Sequence, residues 1–321
     1  MGRVPTTGQT LADPVHIQVG SRDRPTADCA TLARMVLAPG PASPTLRPSP
    51  RPAWPPAVQD GRAATGPQGG TATRGSGVGG LVLVVAGAVG GAGASSLAVA
   101  CAVAARDGAA LVDLATGGGL DVLLGLEGAA GARWPDLVAA RGDVDPDLLT
   151  SSLPHRKGVG VLSADRRHPG PPDDAVVADV LRALAARHRT VVVDVGRGVA
   201  PAAATHVALV VPLTVPGLAG ALAWRASPAR PAGLPELVVT CGPAPGRLTP
   251  DDVATTLGVP VTAHVGRVRG ARGAVERGDG PPVGHGTPLR RAALRVLDAA
   301  AAADARGPGE RVTWSPGGAD R

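Results

Sequence analysis

The segment from Leu81 to Ala100 constrains the fold of this chain more than any other. It begins with five branched apolar residues, Leu81 to Val85, a pattern typical of a strand buried on both faces. A loop of glycine and alanine follows, Gly87 to Gly93, and small and apolar residues resume at Ser95 as in a helix. A strand, a glycine loop and a helix in this order form an anion site, because loop amides and helix N-terminal amides converge. The segment therefore predicts a phosphate-binding loop.

The predicted loop has the hydroxyl of a Walker A motif but not its lysine. Ser95 stands where a hydroxyl reaches Mg²⁺, and the residue directly before it is Ala94 rather than lysine. A deviant form of the motif adds a second lysine before the glycine pair, and that position holds Val89. We therefore expect a phosphate site built from backbone amides. Its residues are Gly90, Gly91, Ala92, Gly93, Ala94, Ser95 and Ser96.

Composition limits the core, the partners and the compartment. The chain has 321 residues and neither Phe nor Tyr, so Ala, Val and Leu must fill the core. A net charge of +6 permits an acidic partner without requiring one. Cys29, Cys101 and Cys241 have no CxxC spacing, which favours isolated thiols over a metal site or a disulfide. The start is polar, and glycines and serines interrupt the first long apolar run, so we expect a cytoplasmic protein without a signal peptide or a membrane span.

The chain divides into three parts. Residues 1–78 are rich in proline and glycine and poor in apolar side chains, which predicts a disordered, low-complexity arm and linker. Residues 79–304 alternate apolar strands with alanine-rich helical stretches, the pattern of a doubly wound, mostly parallel α/β sheet with helices on both faces. Residues 305–321 are predicted to be a flexible tail. About seven strands are expected, beginning at Leu81, Ala109, Gly158, Thr190, His206, Glu236 and Pro260.

Two aspartates lie at the ends of predicted strands. Asp113 follows the apolar run that begins at Ala109, and Asp194 lies near the end of the run that begins at Thr190. Ligands of doubly wound sheets bind at the carboxyl ends of the strands, where the glycine loop also lies. A carboxylate there holds Mg²⁺ through water or positions an attacking water. One strand-end aspartate is more often a cap, but two of them downstream of a glycine loop favour a nucleotide and Mg²⁺ site.

Five segments in this order resemble the MinD/ParA superfamily of P-loop proteins. They are GAVGGAGASS (87–96), VDLATGGGLDVLLGLE (112–127), VVVDVGRG (191–198), HVALVVPLTVPGLAGA (206–221) and LVVTCGPAPGRL (237–248). Within the superfamily they are similar to the CpaE/TadZ-like branch and, in that branch, to its septum site-determining group.

The resemblance implies a P-loop NTPase fold with ATP and Mg²⁺ as weakly bound cofactors. Residues 90–96 correspond to the deviant Walker A loop, and Ser95 corresponds to its Mg²⁺ hydroxyl. Asp113 corresponds to the first acidic residue of the switch-like region, which makes it the catalytic candidate. Asp194 corresponds to the Walker B aspartate. The implied metal ligands, direct or through water, are Ser95, Asp113 and Asp194.

Three departures from the family pattern count against an active ATPase. Val89 and Ala94 replace the two lysines. Ala115 occupies the second acidic position of the switch motif, and residues 240–242 offer no counterpart to the side chain that often recognises adenine. Losing a preorganised cation costs on the order of 3 kcal/mol at the transition state. We therefore expect little or no hydrolysis, while binding through amides and Mg²⁺ is retained.

The resemblance also implies partners. They are a second copy of the chain in a nucleotide-dependent homodimer, and proteins of the division or secretion apparatus that recruit the chain to the septum or a pole. CpaE-like members usually carry a receiver-like domain ahead of the ATPase domain. Residues 1–78 are too short and too rich in proline for one.

Two further surfaces were considered. Residues 307–321 form no apolar stripe, which predicts no direct membrane insertion. A cluster of arginines late in the chain could bind DNA, although solvated arginines on a helix face are the simpler interpretation. These arginines are Arg267, Arg269, Arg272, Arg277, Arg290, Arg291 and Arg295.

Three functions follow from these patterns. The first is a CpaE-like spatial regulator that acts in septum placement or in positioning a Tad-type secretion or pilus apparatus. The second is an active ParA/MinD-type partitioning ATPase, and the third is a nucleotide-free scaffold. The missing lysines favour the first or the third, while Ser95, Asp113 and Asp194 favour the first over the third. A dinucleotide reductase is disfavoured, because no acidic ribose partner follows with Rossmann spacing.

Overall fold

The computed structural model describes residues 80–117, 119–138, 144–165 and 170–306. The predicted arm of residues 1–78 and residues 307–321 of the predicted tail lie outside the described residues.

The described part of the chain alternates strands and helices as the sequence predicts. Its strands are β1 (Leu81–Gly87), β2 (Ala109–Asp113), β3 (His155–Arg156), β4 (Val159–Leu162), β5 (Thr190–Gly196), β6 (His206–Pro212), β7 (Glu236–Cys241) and β8 (Val261–Val265). Its helices are α1 (Ala94–Ala104), α2 (Leu120–Leu124), a 3₁₀ turn (Trp134–Leu137), α3 (Pro146–Ser152), α4 (Asp174–Arg187), α5 (Val215–Ala226), α6 (Pro250–Leu257), α7 (Ala271–Glu276) and α8 (Pro288–Arg306). None of these helices combines the length and the hydropathy that a membrane-crossing helix needs.

The strands form one sheet in the order β3-β4-β2-β5-β1-β6-β7-β8. All neighbours are parallel except β3 and β4, which pair antiparallel. The seven predicted strands are all present, and β3 is an additional strand that the sequence did not predict. It has only two residues, His155 and Arg156, and joins β4 through a two-residue turn. Lys157 and Gly158 in that turn have φ of 53° and 79°, the backbone of a tight hairpin.

Two hydrophobic layers cover the sheet, one on each face. Alternate residues of the central strands point to opposite faces, as the period of a strand requires. Val84 and Val193 belong to the layer that includes residues of α3, α4, α5 and α6, whereas Leu83 and Val192 belong to the layer that includes residues of α1, α2 and α8. The doubly wound α/β fold is therefore confirmed.

The parallel arrangement brings several strand ends to one edge of the sheet. In the register between β2 and β5, Asp113 lies opposite Asp194. In the register between β5 and β1, Asp194 lies opposite Val85, and Gly196 lies opposite Ala86 after a one-residue irregularity. The glycine loop follows β1 directly. The carboxyl edge of the sheet therefore holds the loop and both aspartates.

The opposite, amino edge carries a buried histidine at the start of β6. His206 is 1% exposed, its Nδ1 lies 3.1 Å from Thr205 Oγ1, and its Nε2 lies 3.6 Å from Asp304 Oδ1 of α8. The Thr205 hydroxyl donates to the carbonyl of Val82 and accepts its N–H, which ties this corner to β1. Burial lowers the pKa of His206, and the Asp304 carboxylate opposes that effect.

The buried imidazole should make the protein less stable in mild acid. As the pH falls through about 6.5, the unfolded chain binds a proton at His206, while the folded chain resists doing so until a lower pH. The free energy of unfolding that is present above pH 6.5 should therefore decline below it. Urea unfolding of wild type and His206→Asn at pH 7.5 and 5.5 measures this effect. The free energy of unfolding should fall less between the two pH values in the variant than in wild type. Equal losses would contradict it, and other titrating groups cancel because both proteins share them.

Candidate functional site

The glycine loop between β1 and α1 forms an open cradle. Gly91 and Gly93 have φ of 73° and 94°, in the left-handed region that glycine adopts readily, and Gly93 is the N-cap of α1. A Cβ atom at Gly90, Gly91 or Gly93 would meet no heavy atom within 4 Å, so free space lies in front of the loop. Within the described residues, the amides of these three glycines find no hydrogen-bond acceptor. Unpaired, exposed amides beside a helix N-terminus suit a phosphate group.

The two positions that lack lysine contribute apolar packing instead. Ala94 is buried in the layer that contains α1, and its Cβ would lie 3.5 Å from a Cβ at Gly87 at the base of the loop. Val89 is half-buried against the same layer. The loop itself therefore supplies no positive side chain.

Two residues that the sequence analysis did not assign to the site support the loop from behind. A Cβ at Gly220 of α5 would lie 2.3 Å from the carbonyl oxygen of Ala88 and 2.7 Å from Val89 Cγ1, so only glycine lets the helix approach this closely. The Cys241 thiol at the end of β7 donates to the carbonyl of Ala92 over 3.1 Å. Burial raises the pKa of Cys241 to about 11, which keeps the thiol protonated as a donor. A glycine inside a predicted helix was the only signal for this contact.

Asp113 connects the end of β2 to the start of α2. It is 3% exposed, and its carboxylate accepts the N–H of Leu120 at 2.7 Å and that of Ala115 at 3.0 Å. Trp134 Nε1 donates to its carbonyl oxygen at 2.7 Å. Burial raises the pKa of Asp113 to about 7, the charge of Asp194 adds to the rise, and the two backbone N–H bonds oppose it. The carboxylate is thus poised between its two protonation states near neutral pH.

Asp194 faces the start of α1. It is 1% exposed, and it accepts the N–H of Gly196 at 2.9 Å. Burial raises its pKa, while the Ser95 hydroxyl and the Gly196 amide hold the pKa lower than burial alone would set it. The Ser95 hydroxyl therefore lies near the Asp194 carboxylate.

A cavity of about 240 Å³ joins these groups. The structure brings Ser95, Asp113 and Asp194 together in its lining, together with Ala115 and with Val275 of α7, whose helix the sequence analysis did not predict. Ser96 and the loop glycines lie outside this lining. In the described ranges, His, Cys, Asp and Glu side chains form no group of three or more suited to a metal. The lining residues are Ser95, Asp113, Ala115, Gly117, Gly119, Leu120, Val122, Leu123, Asp194 and Val275.

A larger cavity of about 560 Å³ lies beside α3 and contains none of the predicted site residues. Its charged groups include Asp147 and Arg187, which already pair with each other over 2.8 Å. The smaller cavity beside the glycine loop is therefore the candidate site.

Solved structures show the same architecture. A ParA family ATPase from Chlorobium tepidum superposes with a TM-score of 0.57 at 17% identity, over 70% of this chain and 99% of that chain. The cell division ATPase MinD of Pyrococcus furiosus gives 0.54 at 16% identity, over 68% and 99%. The septum site-determining protein MinD of Pyrococcus horikoshii, complexed with Mg-ADP, also gives 0.54 at 16% identity, over 68% and 95%. The chain has the MinD/ParA fold.

Sequence relatives do not define a function. No protein-family model matches the chain. Two uncharacterized proteins of Mycobacterium tuberculosis, MT3760 and Rv3660c, are each 40% identical to it over 204 residues, which is 60% of this chain and 56% of theirs. The chain thus spans little more than half the length of the curated relatives it matches. In this fold the glycine loop and both aspartates lie at the carboxyl edge of the sheet. The assignment of these residues to a ligand stays a prediction.

The contact between α5 and the loop can be tested at Gly220. Alanine in a helix interior normally stabilises by up to about 1 kcal/mol relative to glycine. At Gly220 we expect a loss of about 1–3 kcal/mol, because the new methyl group would overlap the backbone of Ala88. Gly273 in α7 is the matched control, since a Cβ there meets only the flexible side chain of Arg277 at 3.4 Å. Denaturant unfolding should show Gly220→Ala destabilised and Gly273→Ala unchanged or stabilised. A stable Gly220→Ala protein would contradict the close contact.

Proposed function

We propose that this chain is a spatial regulator of the MinD/ParA type that binds Mg²⁺–ATP weakly, hydrolyses it slowly or not at all, and acts through a second copy and partner proteins. One observation supports it most. Ser95, Asp113 and Asp194 meet in one cavity beside an exposed loop whose glycine amides are unpaired within the described residues. A scaffold that had lost its ligand would have no use for two buried carboxylates, which are costly to keep in the apolar interior.

The residues present fit a magnesium-bound nucleotide. The amides of Gly90, Gly91 and Gly93 would hold phosphate oxygens, helped by the positive end of the α1 dipole. Ser95 and Asp194 would hold Mg²⁺, the serine through its hydroxyl and the aspartate directly or through water. When bound, the ion neutralises phosphate charge and lowers the cost of the buried carboxylates. Asp113 lies where it would orient a water.

Slow or absent hydrolysis follows from the missing charges. Phosphoryl transfer depends on cations that neutralise the transferred group, and losing one costs on the order of 3 kcal/mol. Val89 and Ala94 provide no such charge, and Ala115 provides no second carboxylate beside the cavity. A working partitioning ATPase is therefore the weaker alternative.

The edge around the loop has the character of an interaction surface. Three of the large apolar side chains that stay exposed in the described residues follow strands that end there: Val122 after β2, Val199 after β5 and Val215 after β6. They are 41%, 67% and 40% exposed. Apolar side chains around a nucleotide site suit a second copy of the chain that closes over it. We therefore place the nucleotide-dependent homodimer on this face.

A role in septum placement, or in positioning a Tad-type secretion or pilus apparatus, follows from the CpaE-like sequence motifs. One solved structure with this fold is the MinC:MinD cell division protein complex of Aquifex aeolicus, with a TM-score of 0.52 at 17% identity, over 73% of this chain and 99% of that chain. By analogy, a division or secretion protein would bind this chain and recruit it to the septum or a pole. Binding to DNA through the late arginines is the less favoured alternative.

Titration calorimetry of the full chain with ATP, with and without Mg²⁺, tests nucleotide binding. Gly91→Val should abolish it, because a branched residue at φ 73° strains the loop and fills the space in front of it. Gly108→Val is the matched control: Gly108 has φ 78° and equally open surroundings, but it lies in the turn between α1 and β2 at the other edge of the sheet. Mg²⁺-dependent binding in wild type and Gly108→Val, but not in Gly91→Val, is expected. If wild type shows no heat of binding at millimolar nucleotide, the proposal is refuted. The nucleotide-free scaffold would then be the remaining function.

Light scattering with Mg²⁺–ATP tests the homodimer. Val199→Asp places a charge on the proposed interface and should hold the chain as a monomer at a nucleotide concentration that dimerises wild type. Leu148→Asp is the control, since Leu148 of α3 is 70% exposed, comparable to the 67% of Val199, but follows none of the strands that surround the loop. A Val199→Asp protein that still dimerises would place the interface elsewhere.

A further inference from the structure

We propose that Arg197 supplies the positive charge of the phosphate site in place of the two missing lysines. The inference rests on the proposed function, because it names a positioning residue for the same nucleotide. It concerns a residue that the motif comparison left unassigned.

The cavity is lined by two carboxylates and by no side-chain cation of the described residues. Asp113 and Asp194 line it, and no arginine or lysine is among its lining residues. Nucleotide phosphates would bring further negative charge to the same place. Mg²⁺ offsets part of this charge, and amides provide only partial charges. A side-chain cation within reach is the missing element.

The turn that follows β5 holds Arg197 near the end of β1, from which the loop starts. Gly196 lies opposite Ala86 of β1, one residue before Gly87, where β1 ends. Neighbouring strands are about 4.8 Å apart, a distance that an arginine side chain spans. Gly198 N donates to the carbonyl of Val195 over 2.6 Å, which closes a tight turn with Arg197 inside it.

The same turn also borders the cavity. A Cβ at Gly196, whose φ is 56°, would lie 3.2 Å from Ala115 Cβ, and Ala115 lines the cavity. Arg197 is thus one residue from a position that packs on the cavity wall and three residues from Asp194. This is closer along the chain than any other arginine is to the two aspartates.

Arg197 is exposed, and among the described residues no hydrogen bond or ion pair engages its guanidinium. Two other arginines are already paired: Arg189, before β5, with Asp107 at 3.2 Å, and Arg225 of α5 with Glu236 at 3.1 Å. A planar guanidinium with free donors matches two oxygens of one phosphate. Arg197 is therefore both placed and available for the anion that the loop would hold.

Arg267 and Arg269, which directly follow the last strand, do not meet these conditions. The glycine loop follows β1, and β6 and β7 separate β1 from β8. Three strand spacings amount to roughly 14 Å, beyond the reach of one side chain. Like Arg197, they lie at the carboxyl ends of the strands, but they lie farther from the glycine loop. Arg267 is therefore a useful control.

Calorimetry with Mg²⁺–ATP and with inorganic tripolyphosphate on the full chain tests the inference. Arg197→Ala should weaken both ligands about tenfold to a hundredfold, the scale of a lost charge-assisted hydrogen bond. Arg197→Lys should recover part of the affinity, because lysine restores the charge but not the two parallel N–H donors of a guanidinium. Arg189→Ala removes the same charge at the other end of β5, and Arg267→Ala removes it elsewhere on the same edge. Both should stay within about twofold of wild type, as for exposed charges far from a ligand.

The outcomes separate this inference from the proposed function. Failure of wild type to bind ATP overturns both. Binding by wild type that Arg197→Ala leaves unchanged overturns the role of Arg197 and leaves the proposed function standing. Equal weakening of nucleotide binding in Arg197→Ala and Arg267→Ala also overturns the role of Arg197. The effect would then come from the overall electrostatic field of the protein. Matching thermal unfolding of all variants excludes a loss of fold, which the exposure of Arg197 makes unexpected.

Discussion

The candidate site depends on the pairing of β2 with β5, which sets Asp113 opposite Asp194 at the end of both strands. Both carboxylates are buried; Asp113 accepts the N–H groups of Ala115 and Leu120, and Asp194 accepts that of Gly196 at the end of β5. A register shift of one residue would turn one of the side chains to the other face of the sheet. The strand pairing thus positions the two carboxylates, and the glycine loop positions the backbone amides. Ser95, which follows the loop, lies near Asp194.

Burying two like charges side by side is unfavourable without a cation, and this explains much of the surrounding chemistry. Burial and the neighbouring charge raise the pKa of Asp113 to about 7, which lessens the repulsion between the two carboxylates near neutral pH. The N–H bonds from Ala115 and Leu120 hold the carboxyl group in place. A cation beside the two carboxylates would reduce the repulsion further.

Much of the fold was predictable from the sequence, because the apolar runs are long and the glycine loop is distinctive. All seven predicted strands are present, and the predicted alternation with helical stretches is confirmed, among others by α4, α5, α6 and α8. The sequence did not predict β3, since a two-residue strand of His155 and Arg156 has no apolar pattern to mark it. Nor did it predict α7, a six-residue helix with no buried residue, which still brings Val275 to the cavity.

The site was predictable where one segment carries it and not where distant segments meet. Ser95, Asp113 and Asp194 each follow a recognisable pattern, and the structure brings all three to one cavity. Gly220 and Cys241 support the loop from elements more than a hundred residues downstream, and a single sequence gives no sign of such contacts. The backbone N–H groups of Ala115 and Leu120 both donate to Asp113, so this one carboxylate ties the end of β2 to the start of α2, seven residues further along the chain.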